Sequence, residues 1–291
     1  MAGTSGTGYN NNTQARLDDY LASSSQPAFP YWQNLVRVHD ASGVYLGFNP
    51  TTQRGWVLSA AHFGPAASIN VGGSAYSVRS VNTIGATDLR LYEIGGGLSD
   101  PALPGLATVP LASSFALPGD FSLMFGRAFT NNTSAPYGWV HPGYSDANGM
   151  RWGTNTVQGG DYFFNSNRYI VTNFSANADP SVTPFEAQGA SGDSGGGLFI
   201  YRDGQWQLSG IAHFVDDGPD LLEQLSGPQT GDNVVNPSQF GDFTGYSDVH
   251  ARITDINAFT GTLIPEPSSL WLAVAGLGLT LRRRRVPDHS T

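Results

Sequence analysis

The sequence predicts an all-β protein organised in two β-rich halves, and three observations lead there. Charged residues make up only 13% of the 291, while Gly (37), Pro (18) and aromatics at 12% supply the material of short strands and many turns. Short apolar runs recur along the chain with turn residues between them. Segment 99–120 carries Pro101, Pro104, Pro110 and Pro118, and divides those runs into two groups as a connecting strap. With 40% hydrophobic residues the chain can bury a sizeable core.

In chain order, residues 1–28 form a polar segment rich in Gly, Asn and Ser, with a brief helix-like piece at 15–22 that presents Leu17, Tyr20 and Leu21. The first half, about 31–98, alternates expected strands and turns: strand 35–38, turn 40–43, strand 44–48, turn 49–55, strand 56–61, then strands at 68–71, 76–84 and 89–94. The second half, about 121–259, carries strand candidates at 121–125, 137–140, 151–157, 162–174, 198–201 and 205–214. Val249, Ile253, Ile256 and Phe259 recur at helical spacing, so a C-terminal helix is expected to pack on the second half, N-capped by Ser247 or Asp248.

Composition removes several chemistries. All 14 basic residues are Arg, so a Ser-Lys dyad, a Schiff-base lysine and a phosphate-binding loop of the Walker type are excluded. With no Cys there are no thiol nucleophiles, thiolate metal sites or disulfides. The net charge is −9, and setting aside residues 265–291 leaves 10 basic and 21 acidic residues, a body at −11 that repels phosphate backbones and argues against nucleic acid as a partner. The six His residues (39, 62, 141, 213, 250, 289) have no metal-ligand spacing. Asp216, Asp217 and Asp220 read either as a calcium loop or, preferably, as a solvated acidic loop. Neither a metal nor a cofactor is expected.

Three segments carry chemistry. Gly189-Ala190-Ser191-Gly192-Asp193-Ser194-Gly195-Gly196-Gly197 surrounds a serine with glycines, which let the backbone approach a substrate closely and aim N–H donors at a developing oxyanion. A serine is a weak nucleophile without an adjacent base. Trp56-Val57-Leu58-Ser59-Ala60-Ala61-His62 is an apolar strand that ends in small residues and a histidine, a rigid mount for such a base. Ala86-Thr87-Asp88-Leu89-Arg90-Leu91 places a carboxylate at the start of an alternating strand, where it can orient an imidazole. Taken singly these read as a Gly/Ser turn, a structural histidine and a turn aspartate; their order and company give them weight.

Together the three segments, in the order His, Asp, Ser, resemble the trypsin-like serine proteases of the chymotrypsin fold, over roughly residues 29–259. The resemblance implies two packed six-stranded antiparallel barrels with the site between them. It implies His62 as general base and acid, Asp88 as its orienting carboxylate and Ser194 as nucleophile, with the backbone N–H groups of Gly192 and Ser194 as oxyanion hole. It places Gln188 at the base of the substrate pocket, and His213, Phe214, Val215 and Thr244 along its walls. Gln188 stands where trypsin has an acid, and Thr244 where Gly is usual, so a shallow pocket for small or medium side chains is expected. His213 stands where the family usually has Ser: it either hydrogen-bonds Asp88 in the serine's place or fills space at the wall, the second being favoured. The separation of Asp88 from His62 is short for the family and implies trimmed loops. In many relatives the acid before the nucleophile, here Asp193, pairs with an N-terminal amine released by cleavage; no matching activation sequence stands near residues 29–36.

Two rival readings remain. Gly192-Asp193-Ser194-Gly195-Gly196 also fits the G-x-S-x-G elbow of α/β-hydrolases, with Asp216 or Asp220 and His250 as partners, but that elbow needs a helix right after the serine. The other is a protease-fold surface protein that only binds. At the C-terminus, Pro265-Glu266-Pro267, the apolar run 270–281 and Arg282 to Arg285 resemble the PEP-CTERM sorting signal of exported bacterial proteins; the run is shorter than the ~20 residues of a spanning helix. No charged and apolar signal-peptide pattern stands at the start of the sequence. The expected picture is an exported, monomeric serine endopeptidase acting on proteins or peptides, whose tail, residues 260–291, engages sorting and processing machinery.

Overall fold

The computed structural model describes residues 2–3, 13–127, 133–135, 138–140, 149–164, 167–175, 182–190, 192–215, 238–239, 242–261 and 263. Ser191, Asp216, Asp217, Asp220, His141, His289 and the sorting-like tail from 264 lie outside them, as does Tyr137 of the expected strand 137–140. β1 (Ala2–Gly3) pairs antiparallel with β13 (Ala187–Gln188). Helix α1 (Gln14–Ser23) starts at Thr13, whose hydroxyl accepts the Arg16 N–H at 3.3 Å, and buries Leu17, Tyr20 and Leu21 as its apolar spacing predicts. Tyr20 stacks on Trp152 and meets Phe185 edge-on, which fixes the helix against the second half.

The first half is a six-stranded antiparallel sheet in the order β2 (Leu35–Val38), β3 (Ala41–Asn49), β4 (Arg54–Ala60), β7 (Leu89–Ile94), β6 (Ser74–Thr83), β5 (Ser68–Val71), curled until its two end strands meet. Strand β3 starts at Ala41, inside the expected turn 40–43, because Val38 pairs with Ala41 across a two-residue loop. His39 makes this loop possible by taking a left-handed φ of 53°. The second half is a closed barrel in the order β11 (Arg151–Phe164), β12 (Asn167–Asn173), β17 (Phe243–Asp248), β15 (Gln205–Val215), β14 (Gly197–Arg202), β8 (Phe121–Gly126). A three-stranded sheet of β9 (Thr133–Ala135), β10 (Gly138–Val140) and β16 (Ser238–Gln239) accompanies it.

The period-two alternation of strands explains how two barrels share a core. Tyr45, Val57 and Tyr92 point into the first barrel with Ile69, Val71 and Tyr76. Their chain neighbours Val44, Leu46, Leu58 and Leu91 point out of it and pack on Leu123, Phe125, Phe199 and Leu208 of the second barrel. Met124, Leu198 and Ile200, alternating with those, fill the second barrel with Val157, Ile170 and Tyr246. Each such buried side chain contributes about 1.5–3 kcal/mol of burial, and the interface strands are buried on both faces. The proline-rich strap ties the halves together: the Val109 N–H donates to Leu46 of β3, and the Ala112 N–H to Leu208 of β15.

Three sequence expectations change. Segment 162–174 is two strands, with Phe164 paired to Asn167, so the candidate spans the tip of the β11–β12 hairpin. Strand β17 was not anticipated. The C-terminal helix α2 (Ile253–Thr260) follows a 3-10 turn at His250–Arg252, and Asp248 accepts the Ala251 N–H at 3.1 Å to cap that turn rather than α2. Helix α2 buries Ile256 and Thr260 while Phe259 is 44% exposed. It also reaches the first half and strap: Asn49 donates to the Thr260 carbonyl at 2.9 Å, and Ile253 and Asn257 face Thr108 to Leu111 across a cleft, while Ile256 joins the core shared by both barrels and Arg252, just before the helix, donates to Asn167 of β12 at 3.0 Å. Among the described residues no helix is long and apolar enough to cross a membrane.

Candidate active site

The ladder between β4 and β7 builds the first part of the site. Ala60 pairs with Leu89, so the residues just past this rung, Ala61 and His62 on one strand and Asp88 on the other, are neighbours by register alone. Asp88 Oδ1 accepts the backbone N–H of His62 at 2.8 Å and of Ala61 at 3.1 Å, and Oδ2 faces His62 Nδ1 at 2.7 Å. The carboxylate is 9% exposed and so held in place, while the imidazole edge remains open to solvent beside Phe63. An imidazole with Nδ1–H engaged this way presents the lone pair of Nε2, and Nε2 lies 3.0 Å from Ser194 Oγ.

Ser194 arrives from the second barrel on a turn that only glycine permits. Gly192 and Gly195 have φ of +92° and +82°, and a Cβ at Gly195 would overlap the Ser42 carbonyl oxygen. The turn is tied down on both sides. The Ser42 N–H of β3 donates to the Ser194 carbonyl at 2.8 Å, and Gly195 and Gly196 exchange hydrogen bonds with Ala212 of β15. Asp193 folds inward and accepts the Ala190 N–H at 2.9 Å. Among the described residues the N–H groups of Gly192 and Ser194 have no acceptor, and both residues border the cavity. A strand, β14, follows the serine, where an α/β-hydrolase elbow would need a helix.

The cavity beside Ser194 measures about 300 Å³ and is lined by His62, Phe63, Gly189, Ala190, Ala212, His213, Phe214, Val215 and Thr244 among others. Its floor is narrow. A Cβ added at Gly189 would lie 2.9 Å from Thr244 Cγ2 and 3.0 Å from Val215 Cγ1, and Thr244 Oγ1 accepts the Gly189 N–H at 2.8 Å. Gln188 is buried on β13 and does not line this cavity, so the residue expected at its base lies behind the wall.

His213 sits at a register shift of β15 against β17, between Ala212 and Phe214. Its ring lies 5.6 Å from that of His62 at 25°, with Nε2 3.6 Å from Asp88 Oδ2, too long for a hydrogen bond. Its Nδ1 is 3.0 Å from the Tyr169 hydroxyl. Burial lowers the His213 pKa, partly offset by the Asp88 carboxylate, and His62 lowers it further. Burial, then Asp88, raises that of Tyr169, which keeps its proton. His62, Asp88 and His213 are also a group able to offer three ligand atoms to a metal ion. Sequence reasoning missed Tyr169, Phe63 and Ser42. Phe63 adjoins His62 and was findable; Tyr169 and Ser42 reach the site only through tertiary packing.

No protein-family model and no curated protein matches the chain. Solved structures do. Neuropsin, a serine protease expressed in the limbic system of mouse brain, is 15% identical with a TM-score of 0.50, covering 79% of this chain and 96% of its own. Kallikrein-related peptidase 10 is 17% identical with a TM-score of 0.51, covering 80% and 97%. The fold is that of the trypsin-like serine proteases. The described residues of this trypsin-like fold bring the His, Asp and Ser of the three sequence motifs into one hydrogen-bonded row between the barrels.

Proposed function

We propose that the chain is a serine endopeptidase that hydrolyses peptide bonds through an acyl-enzyme. The observation that carries this reading is the continuous Asp88–His62–Ser194 contact row beside two backbone N–H groups that have no acceptor among the described residues. His62 Nε2 takes the Ser194 proton as Oγ attacks the scissile carbonyl, and the oxyanion rests on the N–H groups of Gly192 and Ser194. His62 then gives that proton to the departing amine. Water, deprotonated by the same nitrogen, releases the acid and restores Ser194. Asp88 holds the imidazole in the working tautomer and stabilises the imidazolium. No cofactor is required.

The narrow floor at Val215 and Thr244 supports a preference for small side chains on the acyl side of the cut bond. Replacing both, Val215→Gly with Thr244→Gly, is expected to raise kcat/KM for aromatic over alanine substrates by at least roughly tenfold, since losing both side chains opens several methylene equivalents of space. An unchanged profile on a peptide library removes the pocket assignment. The PEP-CTERM-like tail supports an exported chain that sorting machinery processes; fractionation of cells expressing the full chain and the chain ended at residue 264 tests that. The activity itself is tested with a fluorophosphonate probe and peptide mapping. Labelling at Ser194 that disappears in His62→Ala supports the mechanism, and equal labelling in both removes it.

A further inference from the structure

We propose that His62, Asp88 and His213 form a binding site for a divalent transition metal of the zinc class, and that occupancy switches the hydrolase off. The inhibitory half rests on the proposed function; the binding half stands without it.

The three donors are His62 Nδ1, Asp88 Oδ2 and His213 Nε2, and they lie within 4.8 Å of one another. Zinc bonds of about 2.0–2.1 Å in a tetrahedron separate two ligand atoms by about 3.3–3.4 Å. The separations around Asp88 Oδ2, 2.7 Å to His62 and 3.6 Å to His213, bracket that value, and with all three donors within 4.8 Å a swing of the two rings toward one another seats an ion. The donor set of two imidazoles and one carboxylate suits zinc, nickel or copper and not calcium or magnesium, which take oxygen ligands.

The surroundings are arranged as a ligand site requires. Asp88 Oδ1 is held by two backbone N–H groups, and Oδ2, which faces His62 Nδ1, is the oxygen an ion takes once the Nδ1 proton has moved to Nε2. The second nitrogen of His213 meets the Tyr169 hydroxyl at 3.0 Å; when the hydroxyl oxygen accepts Nδ1–H, the lone pair on Nε2 faces Asp88, an outer partner of the kind that orients metal-bound histidines. The groups facing His213 are Asp88, His62 and Tyr169. His62 borders the open cavity, so water takes the fourth position.

The consequence for chemistry follows from one proton. The neutral His62 ring carries a single proton, on Nδ1 toward Asp88 when Nε2 faces Ser194. A metal on Nδ1 moves it to Nε2, with none gained or lost. Nε2–H can donate but cannot take the Ser194 proton, so the base is lost while the nucleophile stays in place.

The test uses the full chain with Ser194→Ala, which retains all three ligands and cannot digest itself. Titration calorimetry with zinc chloride is expected to give one site, with none for magnesium or calcium chloride. Adding His213→Ala, or His213→Asn if the alanine variant fails to fold, is expected to weaken zinc at least tenfold, and Tyr169→Phe roughly tenfold. Absence of zinc binding, or equal affinity without the His213 imidazole, overturns the site. In the chain with Ser194 intact, zinc is expected to stop turnover and a chelator to restore it. Binding without any change of rate overturns the inhibitory half, whereas binding by a chain that hydrolyses nothing leaves the site standing and removes the proposed function instead.

Discussion

The two barrels contribute to the site in different ways. The first supplies His62 and Asp88 from adjacent strands just past the Ala60–Leu89 rung, so a single ladder register sets their 2.7 Å contact. The second supplies Ser194 from a glycine turn and His213 from a shifted strand, and the 3.0 Å approach of Ser194 to His62 crosses the interface. The only chain linkage between the halves is the strap, so that approach depends on the inter-barrel core and the Ser42 to Ser194 hydrogen bond. A base pair of groups made within one sheet tolerates loosening that a nucleophile brought from the other sheet does not.

The largest effects break one contribution at a time. Ser194→Ala or His62→Ala is expected to lower kcat by about 10⁶-fold, and Asp88→Asn by about 10⁴-fold, because the amide leaves the imidazole in the wrong tautomer without removing the nucleophile. Circular dichroism should match the parent in all three. If Asp88→Asn retains full activity, the ladder-built pair is structural and the comparison between barrels collapses.

A smaller effect separates the interface from the barrel interiors. Leu123 and Met124 are adjacent, fully buried and of similar size, but Leu123 faces the other barrel and Met124 the inside of its own. Either one replaced by Ala should cost about 2–5 kcal/mol in denaturant unfolding. Only Leu123→Ala should also slow fluorophosphonate labelling of Ser194 under native conditions, since it relaxes the packing that sets the distance between barrels. Equal slowing by both would mean the site senses global stability and not the interface.

Which parts of this were legible in the sequence follows the same division. His62 follows the apolar run of β4 and Asp88 precedes the alternating β7, so strand pattern alone locates both. The turn at Ser194 was legible because glycine is required there sterically. Strand β17 was not, since Thr244, Gly245, Tyr246, Ser247 and Asp248 are buried on both faces and mostly polar, which erases the hydrophobic period. The division of 162–174 into two strands is hidden because Tyr162, Phe163 and Phe164 run into Tyr169 and Ile170 with only four polar residues, and no Gly or Pro, between them. The spacing from Val249 predicts a buried Phe259, but the 3-10 turn at His250–Arg252 interrupts the helical phase, and Thr260 takes the buried position instead.

The smallest expected effect isolates His213, the histidine that the second barrel brings within 3.6 Å of Asp88. Burial lowers its pKa in the folded chain below the 6.5 of the unfolded chain, so on acidification the unfolded chain takes up the proton first. Stability associated with the neutral ring is therefore fully present above pH about 6.5 and declines as the pH falls toward the folded-state value. This slope should appear in Tm measured from pH 7.5 down to 5 in Ser194→Ala protein and flatten when His213→Asn is added. A slope that survives that replacement would assign the proton uptake elsewhere, and would also weaken the case that His213 is held neutral against Asp88. Zinc gives an independent reading of the same proton: if the ring is neutral near pH 7 and charged in acid, affinity for the ion should fall over the same pH interval.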